Sequence, residues 1–482
     1  MPRCLVVLTI CVAAVMPVTT TYAGDLYVPG GYLTIQAAVD AAGAGDTIHV
    51  GAGIYAEIVN ITAGGITLCG AGDSTVVRGA IRVSGTGANE VVLQQLQVVG
   101  VNSNAISVWP GAARIEGVNV SGGDQNGITF SDSSVSMTGC TIAANGYHGV
   151  RGYGSSITMA DCTLTGNGVS GEGWMSGCGA RLSDCSSVTL QTCTMNGNAW
   201  AGAYIIGCAS ATATDCRINN NSDAGLRVDG TGTTTTLNTC TFDSNEIGLA
   251  VFQGAYAEAT DCQFDGGSYG AVLWGGGATG DFARCTATGC ASRGFFLNGA
   301  DTSGKFIECG ASESEVAGFD FSGGTGKATT CNSHDNVVGF HVRQGSPAQL
   351  TNCVANQNRD HGILGEGSPI TMVGCTLSNN GVPGLDWGVG CGVRLSNCST
   401  VTLDTCTASD NVWAGVYITE CAPVTVTDCT FRGAQVCGCR YEGTNCAVTM
   451  QGGAVSDTLD AGGTGGIGVA YLWGCGGTLR EV

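Results

Sequence analysis

Positive charge is scarce in this sequence: 18 lysines and arginines stand against 38 aspartates and glutamates, for a net charge of −20. Affinity for nucleic acid rests on neutralising phosphates, so this balance argues against a nucleic-acid partner, and any anion site has to be built locally. Beyond Ala23 no apolar run is long enough to cross a bilayer, so no transmembrane segment is expected. Neither a pair of CxxC units nor a histidine-rich tract is present, and Cys437-Gly-Cys439 alone does not make a metal site. No motif points to a cofactor or to calcium. Proline is rare too, with 8 residues in 482, while glycine supplies 80.

Residues 1–23 read as a secretory leader, with Arg3 as the positive flank, Leu5 to Val18 as the apolar core and Thr21-Tyr22-Ala23 as a small-residue cleavage site. The mature protein is therefore expected to be secreted, whether extracellular, periplasmic or at the cell surface. Of 27 cysteines, Cys4 and Cys11 fall in the leader, which leaves 25. An odd number means at least one free thiol or an intermolecular pair.

The cysteines at 140, 162, 193, 216, 240, 262, 285, 309, 331, 353, 375, 406 and 429 recur with a nearly constant spacing, broken by two longer intervals. Each opens a run of the form Cys-Thr-apolar-x-x-Asn, followed by Gly-apolar-x-apolar. Short alternating runs punctuated by Gly and Asn are strands and turns. Three such runs in each repeat predict one turn of a parallel β-helix. Stacked coils turn each column of the repeat into a ladder about 4.8 Å per rung. The cysteines and the apolar residues two places on (Ile142, Leu164, Met195, Ile218, Phe242) are assigned to the core. The asparagines, from Asn145 and Asn167 to Asn411, are assigned to a left-handed turn. Cys178/Cys185 and Cys391/Cys398 are the best disulfide candidates. Residues 34–42, TIQAAVDAA, read as a short amphipathic helix that caps the open end of the solenoid.

The whole is expected to be all-β: a single right-handed parallel β-helix of about eighteen coils, estimated from length over period. Its divisions are the leader at 1–23, the cap and first coils at 24–78, the β-helix at 79–450 and a closing segment at 451–482. Within it a tandem duplication relates about 118–216 to 331–429.

Residues 33–77, from Leu33 through Gly53-Ile54-Tyr55-Ala56-Glu57 to Val77, resemble the opening of pectin-lyase-like β-helix proteins, pectin methylesterases included. The later coils resemble the repeat shared by pectate lyases, polygalacturonases and mannuronan epimerases. The resemblance implies the fold and leaves the activity open, because the catalytic motifs do not carry over. The esterases' Asp-Phe-x-Phe-Gly and Leu-Gly-Arg-Pro-Trp are missing, as is the epimerases' Asp-Pro-His. His148-Gly149 and Asp360-His361-Gly362 echo the polygalacturonases' Gly-His-Gly without its aspartates, in places where a turn residue suffices.

Strand side chains alternate, so the residue two after each repeat glycine faces outward. That column reads Arg151, Arg181, Tyr204, Arg227, Ala250, Val272, Phe296, Asp320, His341, Leu364, Arg394, Tyr417, Arg440. An Arg-Tyr-Arg triplet occurs twice, opening once at Arg181 and again at Arg394. Each copy adds tryptophans, Trp174 and Trp200 or Trp387 and Trp413, and an acid two residues after the last arginine, Asp229 or Glu442. Arginine forks beside aromatic platforms suit a sugar ring bearing a carboxylate or sulfate. The same stacking could equally tie an exposed sheet together. Between the copies Phe252, Trp274 and Phe296 form a second outward cluster, next to Asp320 and His341 as an acid–base candidate and Arg343. Two readings stay open: a secreted protein that binds or modifies acidic polysaccharide, uronic or sulfated, and a structural or adhesin-like surface rod.

Overall fold

The computed structural model describes residues 23–169, 176–384, 388–456, 467–472 and 475–480. The expected leader, but for Ala23, lies outside the described residues, as does part of the closing segment. The chain winds as an all-β right-handed solenoid of about 18 turns. Each coil gives one strand to each of three parallel sheets, here A, B and C. In one coil these are Ala112–Glu116, Asn119–Ser121 and Ile128–Ser131. The next coil repeats them at Ser134–Thr138, Thr141–Ala143 and Val150–Tyr153, paired in parallel with the strands before. Among the described residues sheet A runs through 20 strands.

The core is built of ladders. Ile142, Leu164, Met195, Ile218 and Phe242 are buried as the repeat requires. Between the two copies the filling turns aromatic: Phe295, Phe319 and Phe340 stack at centroid spacings of 5.0 and 4.8 Å. The cysteines of the repeat are all buried free thiols. The thiols donate to backbone carbonyls, as Cys140 Sγ does to Ile115 at 3.3 Å and Cys162 Sγ to Ala160 at 3.3 Å. The residue before the cysteine turns the corner in the left-handed region, as at Asp161 (φ 52°) and Asp215 (φ 53°).

Two expectations fail against this fold. The repeat asparagines are not the left-handed residues; the preceding ones are, as at Ala144 (φ 52°) and Ser244 (φ 55°). The asparagines are buried, and their amides join coil to coil. Asn167 Nδ2 donates to Asn198 Oδ1 at 3.0 Å and to the Ile142 carbonyl at 3.1 Å, while the Asn167 backbone N–H also donates to Asn198 Oδ1. A buried amide needs such partners, and a stack of identical coils supplies them at every rung. The expected disulfides Cys178/Cys185 and Cys391/Cys398 are absent, all four residues being free thiols. Cys178 and Cys391 sit in small apolar clusters on the outer side of sheet C, whereas Cys185 and Cys398 sit in the main core. Cysteines on opposite faces of one sheet cannot be bridged without moving the backbone.

A helix, α1, spans Ile35–Ala41. Thr34 caps it by accepting from the Ala37 N–H, and Glu57 accepts from the N–H groups of Ile35 and Gln36. Ile35, Ala38 and Val39 are its buried face. No described helix is long and apolar enough to cross a membrane.

Candidate functional site

Sheet C sets the outer column rung by rung. Its register pairs Arg151 with Arg181, Arg181 with Tyr204 and Tyr204 with Arg227. It continues through Ala250, Val272, Phe296, Asp320, His341 and Leu364 to Arg394, Tyr417 and Arg440. The two triplets therefore lie on one face, nine steps apart from Arg181 to Arg394.

Facing outward does not leave these side chains open to solvent, which corrects the sequence reading. Tyr204 and Tyr417 are 3% and 6% exposed, and Asp229 and Glu442 are buried as well. In the first copy the Tyr204 hydroxyl donates to Asp229 Oδ2 at 2.9 Å, and Arg227 Nε donates to the same oxygen at 3.0 Å. Trp200 meets Tyr204 edge-on at 5.2 Å, and the Arg227 guanidinium lies 4.1 Å from the Phe252 ring centroid. The second copy repeats the plan with a longer acid. Tyr417 donates to Glu442 Oε2 at 2.8 Å, Arg440 Nε donates to Oε1 at 2.5 Å, and Trp413 meets Tyr417 at 4.7 Å. Burial and the neighbouring carboxylate push both tyrosine hydroxyls up to about 12, so each is a proton-holding donor and not a base. Each acid is already engaged by its arginine and tyrosine.

Arg181 and Arg394 open the two triplets and are only half-buried. Each lies over its tyrosine ring, at 5.5 and 5.7 Å, and neither makes an ion pair with a carboxylate among the described residues. Arg394 Nη1 donates to the Gly388 carbonyl at 3.2 Å, and in the first copy Asp223 is a further acid close to Arg227. Trp174 and Trp387, with Glu172 and Asp386, lie outside the described residues.

His148 and His361 hold the two long coils. Each is buried, and each Nδ1 accepts from the N–H that begins the strand region of the next coil, Cys178 at 3.1 Å and Cys391 at 3.3 Å. Burial and the adjacent arginines push both imidazoles down to about 3, which keeps them neutral acceptors.

In the middle of the face Asp320 is fully enclosed. Arg293 Nε donates to it at 2.5 Å, and Arg343 donates to both oxygens at 3.2 and 3.1 Å. His341 Nδ1 stands 3.8 Å from Asp320 Oδ2, and its Nε2 is 3.4 Å from Glu366. The expected pair is thus adjacent, but the Asp320 carboxylate is committed to two guanidiniums and has no route to solvent. Trp274 meets both Phe252 and Phe296 at ring-centroid distances of 6.3 Å, although in register Trp274 sits opposite Asn298 and Phe296 opposite Val272. Of the three only Trp274 is well exposed.

Sequence reasoning missed a cleft at the head of the same column. It has a volume of about 510 Å³ and is lined by Trp109, Thr129, Ser131, Arg151 and Tyr153 among others. The repeat alignment held the signal, since Ser131 pairs with Tyr153 and Trp109 directly follows Val108, the partner of Phe130.

No curated protein matches the chain. Among solved structures, pectate lyase Pel9A shares 15% identity, with 68% of this chain and 76% of that chain covered and a TM-score of 0.28. The catalytic unit of a thermostable alpha-1,3-glucanase from Streptomyces thermodiastaticus shares 12%, covering 68% and 69%, with a TM-score of 0.33. A mutant of the periplasmic alginate epimerase AlgG shares 10%, covering 77% of each chain, with a TM-score of 0.29. The family described as right handed beta helix region matches residues 104–264, 247–389 and 385–455. Those segments span most of the coils, and the chain belongs to that family.

Proposed function

We propose that this protein binds acidic polysaccharide along the outer face of sheet C, with Arg181 and Arg394 as equivalent contact points. The observation that carries the reading is the repetition itself. The same arginines, tyrosine and tryptophan, with an acid two residues after the last arginine, stand at the same places nine rungs apart, and the first arginine of each copy makes no ion pair among the described residues. Nine rungs at ~4.8 Å set the two points roughly 43 Å apart. A long anionic chain that reaches both gains avidity, because its second contact forms at high effective concentration. In this reading residues 1–23 are a leader removed on export, α1 covers the apolar end of residues 24–78, and the coils of 79–450 carry the face.

A second reading, a structural rod, draws support from the burial of Tyr204 and Tyr417. Their bonds to Asp229 and Glu442 tie neighbouring rungs whether or not anything binds outside.

The test is titration of short and long uronic-acid chains against wild type, Arg181→Gln, Arg394→Gln and the double variant. These arginines are chosen because replacing Arg227 or Arg440 would strand a buried acid. The long chain should bind at least tenfold more tightly than the short one, and either single substitution should remove that advantage. Equal affinity for both lengths, or no effect of the double variant, leaves the rod as the reading.

A further inference from the structure

The cleft at the head of the outer column differs from the duplicated patches in being open. Trp109 and Tyr153 are 48% and 54% exposed, against 3% for Tyr204. They project from the same position of coils two rungs apart, with Ser131 between them. A large ring, a small residue and a large ring on successive rungs leave a slot about 9.6 Å wide, two rungs of ~4.8 Å. Carbon contacts close at about 3.5–4.0 Å on either side, so the slot admits one puckered sugar ring between two aromatic walls.

The floor is hydroxylic. Thr129 Oγ1 donates to Ser107 Oγ at 3.1 Å and Ser131 Oγ to Asp132, which leaves the Thr129 and Ser131 hydroxyl lone pairs for an occupant. At the edge stands Arg151, exposed and without an ion pair among the described residues. Its register partner one rung on is Arg181, so two arginines stand on successive rungs in a chain of net charge −20. Arginines on successive rungs, neither ion-paired among the described residues, favour an anion held between them.

We propose that this cleft is the ring-binding subsite for a pyranose carrying an anionic group. Trp109 and Tyr153 flank the sugar ring and Arg151 takes the carboxylate or sulfate. The proposal rests on the reading of sheet C as a polysaccharide-binding face, and it fixes where on that face a single residue of the polymer is gripped. Arg151 at the cleft's edge pairs in register with Arg181, so a chain seated in the cleft and running along the stacking axis continues toward the first patch.

The experiment uses three short oligosaccharides of equal length, one uronic, one sulfated and one neutral. They are titrated by calorimetry and tryptophan fluorescence against wild type, Trp109→Ala, Trp109→Phe and Arg151→Gln. Trp109→Ala should weaken the short anionic ligand about tenfold, equal to ~1.4 kcal/mol, while Trp109→Phe, which keeps a ring, retains most of the binding. Arg151→Gln should bring anionic and neutral ligands to the same affinity, and the anion preferred by wild type identifies the sugar class. Both side chains are exposed, so neither change should alter the circular dichroism of the solenoid. If Trp109→Ala and Arg151→Gln leave short-ligand binding intact while Arg181→Gln still weakens the long chain, the cleft proposal falls and the face reading stands. If no anionic sugar of any length binds wild type, both fall together.

Discussion

Lowering the pH should unfasten the two long coils before it unfolds anything else. His148 and His361 hold the Cys178 and Cys391 amides only as neutral acceptors at Nδ1. Their imidazoles are pushed down to about 3 from an ordinary 6.5. Where a coil opens, its histidine regains the ordinary value and binds a proton that the closed form refuses. The closed form is therefore fully favoured above pH 6.5 and loses ground as the pH falls from there toward 3. At pH 5 the deficit is about 1.5 pH units, or ~2 kcal/mol, which makes local opening about thirtyfold more frequent. Coils of a solenoid open locally, so the readout must be local as well. The assay is hydrogen exchange at the Cys178 and Cys391 amides between pH 7 and pH 5, corrected for the intrinsic rate, with the Phe319 amide as an internal control. His148→Asn and His361→Asn supply the comparison, since Asn126 Oδ1 already accepts from the His148 N–H one coil earlier. Those variants should lose the pH dependence. Unchanged protection of Cys178 at pH 5, or an equal fall in the variants, would refute the reasoning.

The thiols from Cys140 to Cys429 should resist alkylation in the native protein and become almost wholly reactive after denaturation, as read by mass spectrometry; disulfides between successive members would contradict the reduced core. Asp320→Ala should lower stability by about 3 kcal/mol, the low end for breaking a buried pair, because the partly buried Arg293 and Arg343 lose their shared counter-ion, and thermal unfolding reads the loss. His341→Ala should leave any action on acidic polysaccharide unchanged, and loss of product with the fold intact would restore Asp320 and His341 as a catalytic pair.

Which residues stack on one another was legible in the repeat alone. Its short, regular period admits no in-register solution other than coil on coil, so every repeat column became a ladder, and Arg181, Tyr204 and Arg227 fell on successive rungs. The face each residue takes was legible too, because alternation along a strand has no third option. How deeply each outward side chain is covered was settled only in three dimensions. Depth depends on the reach of neighbours one rung away, as when Arg227 and Trp200 close over Tyr204, and periodicity carries no information about reach. For the same reason Cys178 and Cys185, close in sequence, ended on opposite sides of one sheet, and His148 proved to be a clasp for the next coil. The slot between Trp109 and Tyr153 arises only where a small residue separates two large ones along the stacking axis, a direction that runs across the chain and not along it.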